Sequence, residues 1–294
     1  MRMTRIVALI PLLFPPLAAA SPVLVTGEWY IEDGGTYNVN WSVNNAYSVQ
    51  NGTLNILPGA DIPSVSVGGY GFEPLITMSG GQVDNGILIS QGNLTVSGGQ
   101  SHGWDYSSSA TSAGNGAAIY YQSSAQITGG TFIGGNSPVA AGSGFVNAAA
   151  NVDGKLFLST LNISGGTFIG GTGSGGGSGG STGYSLFSGG DTTVTGGHFL
   201  SPIAIDTSAG GETDFLGTHL TYQNGILSGL LQNGDPIHVQ IYPDFTTATV
   251  NASGTEVSFL PSSSTTPLPE PTSALIFGLV TTLVLARRRS HRSH

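Results

Sequence analysis

The 294-residue chain holds 47 glycines, no cysteine and only 8% charged residues. Disulfides and thiolate-bound zinc or iron–sulfur centres are therefore excluded, and stability must come from hydrogen-bond ladders and packing. All six arginines lie near the two ends; between residues 21 and 286 one cation, Lys155, faces sixteen acids, a net charge of −15 that repels nucleic acid and anionic lipid. A hydrophobic content of 39% is too high for a simple disordered chain. Abundant Gly, Ser, Thr and Asn between short apolar runs point to an all-β body with many turns.

In chain order, Met-Arg-Met-Thr-Arg precedes an apolar run from Ile6 to Leu17 and then Ala18-Ala19-Ala20. This is the pattern of a signal peptide over residues 1–20, with Ala18 and Ala20 as the small residues at the cleavage site. Pro11, Pro15 and Pro16 would break a stable membrane helix there. The body is then expected to span 21–260. Its opening strands are predicted at Trp29-Tyr30-Ile31 and Tyr37-Asn38-Val39, with a turn at Asn51-Gly52.

The body repeats itself. Val96-Ser97-Gly98-Gly99, Ile127-Thr128-Gly129-Gly130, Ile163-Ser164-Gly165-Gly166 and Val194-Thr195-Gly196-Gly197 align, with Met78-Ser79-Gly80-Gly81 as a weaker copy. The last three full copies continue as Thr131-Phe132-Ile133, Thr167-Phe168-Ile169 and His198-Phe199-Leu200. Val, Ile, Thr and Phe suit a pleated surface, and glycine permits a tight corner. One such unit cannot bury its own apolar face, but a stack can. The expected fold is therefore a right-handed parallel β-solenoid, a β-helix with one repeat per coil. Val96, Ile127, Ile163 and Val194 should form one internal ladder, and Phe132, Phe168 and Phe199 a second. Ser97, Thr128, Ser164 and Thr195 should form a hydroxyl ladder beside the corner. If Ile127 and Ile163 lay in different sheets, this reading would fail.

Successive glycine pairs are 18, 31, 36 and 31 residues apart, so insertions are expected. The Gly/Ser run from Gly170 to Gly183 reads as a loop leaving one corner, and residues 101–118 as another excursion. Asn224-Gly225 and Asn233-Gly234 are hairpin signals. They predict an antiparallel C-terminal cap over the last open coil.

Residues 261–268 form a Ser/Thr/Pro linker. Residues 269–294 have three parts: Pro269-Glu270-Pro271, an apolar segment 273–286, and Arg287-Arg288-Arg289. Fourteen helical residues reach about 21 Å against roughly 30 Å of bilayer hydrocarbon, so the segment is a marginal transmembrane helix. The basic cluster would hold its far end in the cytoplasm. This order of parts resembles the PEP-CTERM sorting signal. The resemblance covers about 25 residues and departs from the family only in its longer finish, Ser290 to His294. It implies processing at or near Pro269, Glu270 and Pro271 by an exosortase-type enzyme, after an inner-membrane-anchored intermediate. Delivery to the cell surface or extracellular matrix of a Gram-negative bacterium that makes exopolysaccharide would follow.

Catalytic constellations are scarce. The acids look scattered, and Glu212 with Asp214 is the one close pair on a common face. His102, His198, His219 and His238 show no metal-ligand spacing, and no cofactor is expected. Gly176 to Gly180 matches Gly-x-Ser-x-Gly but lies in a low-complexity run, so it is no nucleophile elbow. The best binding candidate is His102-Gly-Trp104-Asp105-Tyr106, where aromatic rings and a carboxylate suit carbohydrate contact. These features favour a non-enzymatic secreted surface or matrix protein with a structural or adhesive role in an exopolysaccharide layer or biofilm. The alternative is a carbohydrate-active β-helix enzyme of polysaccharide lyase or glycosidase type. An acid trio on one face would favour the enzyme, and a bare Ser/Thr/Gly/Asn face the structural role.

Overall fold

A computed structural model describes residues 23–25, 28–68, 72–105, 113–153, 155–173, 183–201, 204–207, 211–242 and 246–261. Ala18 and Ala20 of the expected signal peptide lie outside them. So do Tyr106, the linker, Pro269, Glu270, Pro271, the 273–286 segment and Arg287, Arg288 and Arg289. The chain divides into a unit Met1–Pro261 and a unit Ser262–His294, and only the first contains described residues.

The protein is all-β. Twenty-five strands occur among the described residues, 23 of them in one large mixed sheet, with no helix. The chain returns again and again to two parallel ladders. One ladder runs through Thr36–Val39, Thr53–Ile56, Leu75–Val83, Asn93–His102, Ser124–Ile127, Thr160–Ile169, Asp191–Phe199 and Thr213–Gln223. The other runs through Glu28–Ile31, Ala46–Val49, Val65–Gly68, Ile87–Ser90, Ala117–Tyr120, Phe145–Asn147, Leu186–Ser188, Ile205–Asp206 and Pro236–Tyr242.

Strand alternation sends every second side chain to the same side. On the inner side of the first ladder, Val39, Ile56, Met78, Val96, Ile127, Ile163, Val194 and Phe215 are successive register partners, all buried. Ile127 and Ile163 are thus neighbours in one sheet. Phe132, Phe168 and Phe199 also fall in register. Their rings stack at 5.4 and 5.1 Å with planes 9° and 12° apart, and Phe145 meets Phe132 edge-on.

The Gly-Gly corner has a different reason at each position. A Cβ on Gly98 or Gly165 would meet the carbonyl oxygen of Ser79 or Thr128 in the preceding repeat at 2.7 or 2.5 Å. The second glycines, Gly99, Gly130, Gly166 and Gly197, have φ between 88° and 111°, where L side chains are strained. The expected hydroxyl ladder takes another form. Thr128, Ser164 and Thr195 each donate to the backbone carbonyl of the ladder residue one repeat earlier, Val96, Ile127 and Ile163, rather than to one another.

Toward the C-terminus the interior turns polar. Asn147, Ser188, Thr192 and Thr213 are buried. Ser188 bonds both Thr192 and Thr213 at 2.7 Å, and Asn147 Nδ2 donates to Thr192 at 2.9 Å. Beyond it, Thr213–Gln223, Ile226–Leu231 and Pro236–Tyr242 pair antiparallel. Asn224 and Gly225 both have positive φ, as a type I′ turn requires. Glu256–Pro261 lies antiparallel between Thr213–Gln223 and Thr246–Val250.

Candidate functional site

The outer side of the first ladder carries two columns of side chains, polar except at Leu75. One column is Asn38, Asn55, Thr77, Thr95, Gln126, Asn162, Thr193 and Asp214; the other is Thr36, Thr53, Leu75, Asn93, Ser124, Thr160 and Asp191. Adjacent members bond directly: Asn55 Nδ2 to Asn38 Oδ1 at 2.7 Å, and the Ser124 hydroxyl to Asn93 Oδ1 at 2.8 Å. Six successive strands therefore present hydroxyls and carboxamides without a charge in these columns.

Acids gather where the columns end. Asp191 and Asp214 close them, Glu212 lies beside both, and Glu256 pairs across at Leu216. Asp214, then desolvation, then Asp191 and Glu256 raise the Glu212 pKa above its ordinary value. The scattered acids of the sequence reading thus converge here, because Asp191 and Glu256 are brought beside Glu212 by strand register. Among the described residues no group of three or more His, Asp or Glu side chains is placed to hold a metal ion.

Trp104 and Asp105 stand at the neck of the insertions. Register sets His102 beside Ile133, so Gly103 and Trp104 follow in step with Gly134 and Gly135. From there a string of backbone hydrogen bonds crosses the neck. Gly114 donates to Trp104, Gly135 to Gly114, Gly142 to Gly135, Gly171 to Gly142 and Gly183 to Gly171, all at 2.8–3.0 Å. The approach is so close that a Cβ on Gly142 or Gly183 would overlap a glycine carbonyl. The expected excursion at 101–118 is consequently narrower, because Ser101 and His102 belong to a strand and Ala117 begins the next.

Above the neck, Asp105 Oδ1 accepts the Asn136 N–H at 2.6 Å, and Asn136 Oδ1 accepts the N–H and hydroxyl of Thr172 at 2.8 and 2.7 Å. Asp105 therefore ties loops together, with His102 Nε2 3.9 Å away. The Trp104 ring packs over Gly114 and keeps 48% of its surface exposed. His198 occupies the repeat position of Thr167, is half exposed and lies 3.9 Å from Asp235.

A second concavity escaped the sequence reading. It has a volume of about 430 Å³ and is lined by Ser90, Gln91, Tyr121, Gln122, Val152 and Phe157 among others. Its far wall is a hairpin, Ala150–Val152 against Lys155–Phe157, inserted where the neighbouring repeats turn directly. Asp153-Gly154 was the available turn signal. No family model, curated protein or solved structure matches the chain. No helix among the described residues is long and apolar enough to cross a membrane.

Proposed function

We propose that the chain is an exported, non-enzymatic surface or matrix protein whose body is a right-handed parallel β-solenoid with an antiparallel cap. It serves a structural or adhesive role in an exopolysaccharide layer. The observation that carries this reading is the pair of outer columns. Hydroxyls and carboxamides repeat over six successive strands, backed by an unbroken apolar ladder, which makes a neutral, hydrogen-bonding face along that stretch. Such a face offers many weak contacts to a hydroxyl-rich polymer and no reactive group along most of its length. The C-terminal resemblance to the PEP-CTERM signal supplies the route: export, transient anchoring by residues 273–286, and processing near Pro269-Glu270-Pro271 by an exosortase-type enzyme. C-terminal peptide mapping of surface-exposed protein from its native host tests the route. Peptides ending near Glu270 are expected, and mature surface material that retains Arg287-Arg288-Arg289 would defeat it.

One observation favours a second reading. Asp191, Glu212, Asp214 and Glu256 converge, and repulsion chiefly from Asp214 raises the Glu212 pKa, which gathers carboxyls of the kind that glycosidases use. Reducing-sugar release from polysaccharides, abolished in Glu212→Gln, would establish the enzyme; no release by the wild-type chain would leave the structural role.

A further inference from the structure

We propose that the concavity between the Gln91 and Tyr121-Gln122 corners and the inserted hairpin is a binding site for a neutral sugar unit of a glycan. Its volume of about 430 Å³ lies within the range that takes small ligands, about 300–1,000 Å³. The lining combines two kinds of group. Tyr121 contributes an aromatic ring, whose negative face attracts the polarised C–H groups on one side of a pyranose, and Phe157 adds an apolar wall whose ring also carries the Lys155 ammonium 5.0 Å from its centroid. Gln91 and Gln122 contribute carboxamides, and each presents both donors and an acceptor, as a ring of hydroxyls requires. No hydrogen bond within the described structure engages either carboxamide. Among the described residues the lining holds no carboxylate or cation, and the nearby Lys155 ammonium is engaged with the Phe157 ring, so the lining suits an uncharged ligand.

Backbone conformation points the same way. Gln91, Tyr121 and Gln122 have φ of 57°, 52° and 59°, half of the six non-glycine residues with positive φ among those described. Glycine would adopt these corners without strain, and the chain uses glycine freely elsewhere. Side chains kept at a conformational cost mark a place where the side chain itself is needed. The hairpin strengthens the point. Repeats that only needed to turn would leave this corner open, as Ser188-Gly189-Gly190-Asp191 does with four residues. That the natural ligand belongs to a matrix glycan rests on the surface-protein reading above.

The test titrates the full chain with cellohexaose, maltohexaose, laminarihexaose and mannohexaose, and with polygalacturonate as the charged counter-probe. Tyr121→Gly and Gln122→Gly are the informative variants, because glycine relieves the left-handed strain. Both should melt at or above the wild-type temperature. At least one neutral hexamer is expected to bind the wild type, and about tenfold more weakly to Tyr121→Gly, the loss of one stacked ring. No binding of any neutral hexamer, undiminished binding by Tyr121→Gly, or preferential binding of polygalacturonate would each overturn the pocket. Surface delivery of the chain, followed separately, would stand or fall on its own.

Discussion

At the scale of the residue, the corner glycines obey two constraints that substitution can separate. An added methyl on Gly165 meets the Thr128 carbonyl at 2.5 Å, so neighbouring repeats must part. That is overpacking, and it costs about 1–3 kcal/mol. Gly166 is less crowded, its added Cβ meeting the Gly129 and Gly130 carbonyl oxygens at 3.2 Å, but its φ is 100°. Alanine there costs about 1–2 kcal/mol chiefly through the backbone conformation. Asparagine tolerates left-handed conformations, so Gly166→Asn should be milder than Gly166→Ala, while Gly165→Asn should be at least as damaging as Gly165→Ala. Urea melts of the four variants measure the contrast. Glu212 carries a pH prediction of the same kind. Repulsion chiefly from Asp214 raises its folded pKa. A raised carboxyl favours the folded state below its unfolded pKa and loses that contribution as pH rises through the folded value. Glu212→Gln should therefore raise the melting temperature at neutral pH and match the wild type below the carboxylate range. Added salt should shrink the difference, because the group is exposed.

At the scale of the element, stacking makes the middle phenylalanine the costliest to lose. Phe168 lies between Phe132 and Phe199, whereas Phe199 has a ring partner on one side only. Phe168→Ala should cost about 3–5 kcal/mol in denaturant unfolding, and Phe199→Ala measurably less. Equal losses would show that the rings act independently. These phenylalanines were legible in the sequence because each follows a Gly-Gly pair at fixed offset, so one motif sets the register of both inner ladders. The partner ladder was not legible beyond its first strand. Its runs around Val49, Val67, Ile89 and Ile119 are four residues long, and such short apolar stretches carry no periodicity that assigns a sheet. The glycine neck was half legible. Gly134-Gly135 and Gly170-Gly171 both follow Phe-Ile, but the reason for glycine is a carbonyl from another repeat, a contact no local pattern records. The acid convergence failed to show for the same reason. Glu212 and Asp214 are close in sequence, whereas Asp191 and Glu256 join them only through strand pairing.

At the scale of the whole molecule, the described core and the proposed sorting signal lie in different parts of the chain. Among the described residues every buried apolar side chain lies between Ile31 and Phe259. The second ladder opens against the antiparallel strand Val23–Val25, and the first closes against Glu256–Pro261. Such pairing blunts an edge that would otherwise template further strands. The fold thus has what it needs by Pro261, where the first unit of the chain ends. The resemblance to a sorting signal falls wholly in the second unit. Cutting between the two should therefore change where the protein goes and leave how it melts untouched. A chain of residues 1–261 expressed in the native host is expected to be exported and to fold with the melting temperature of the full-length protein. It should appear free in the periplasm or medium instead of at the surface. A lowered melting temperature would place part of the fold's stability in the tail. Unchanged surface delivery would move the address into the body, with the polar columns or the Tyr121 pocket as its next candidates.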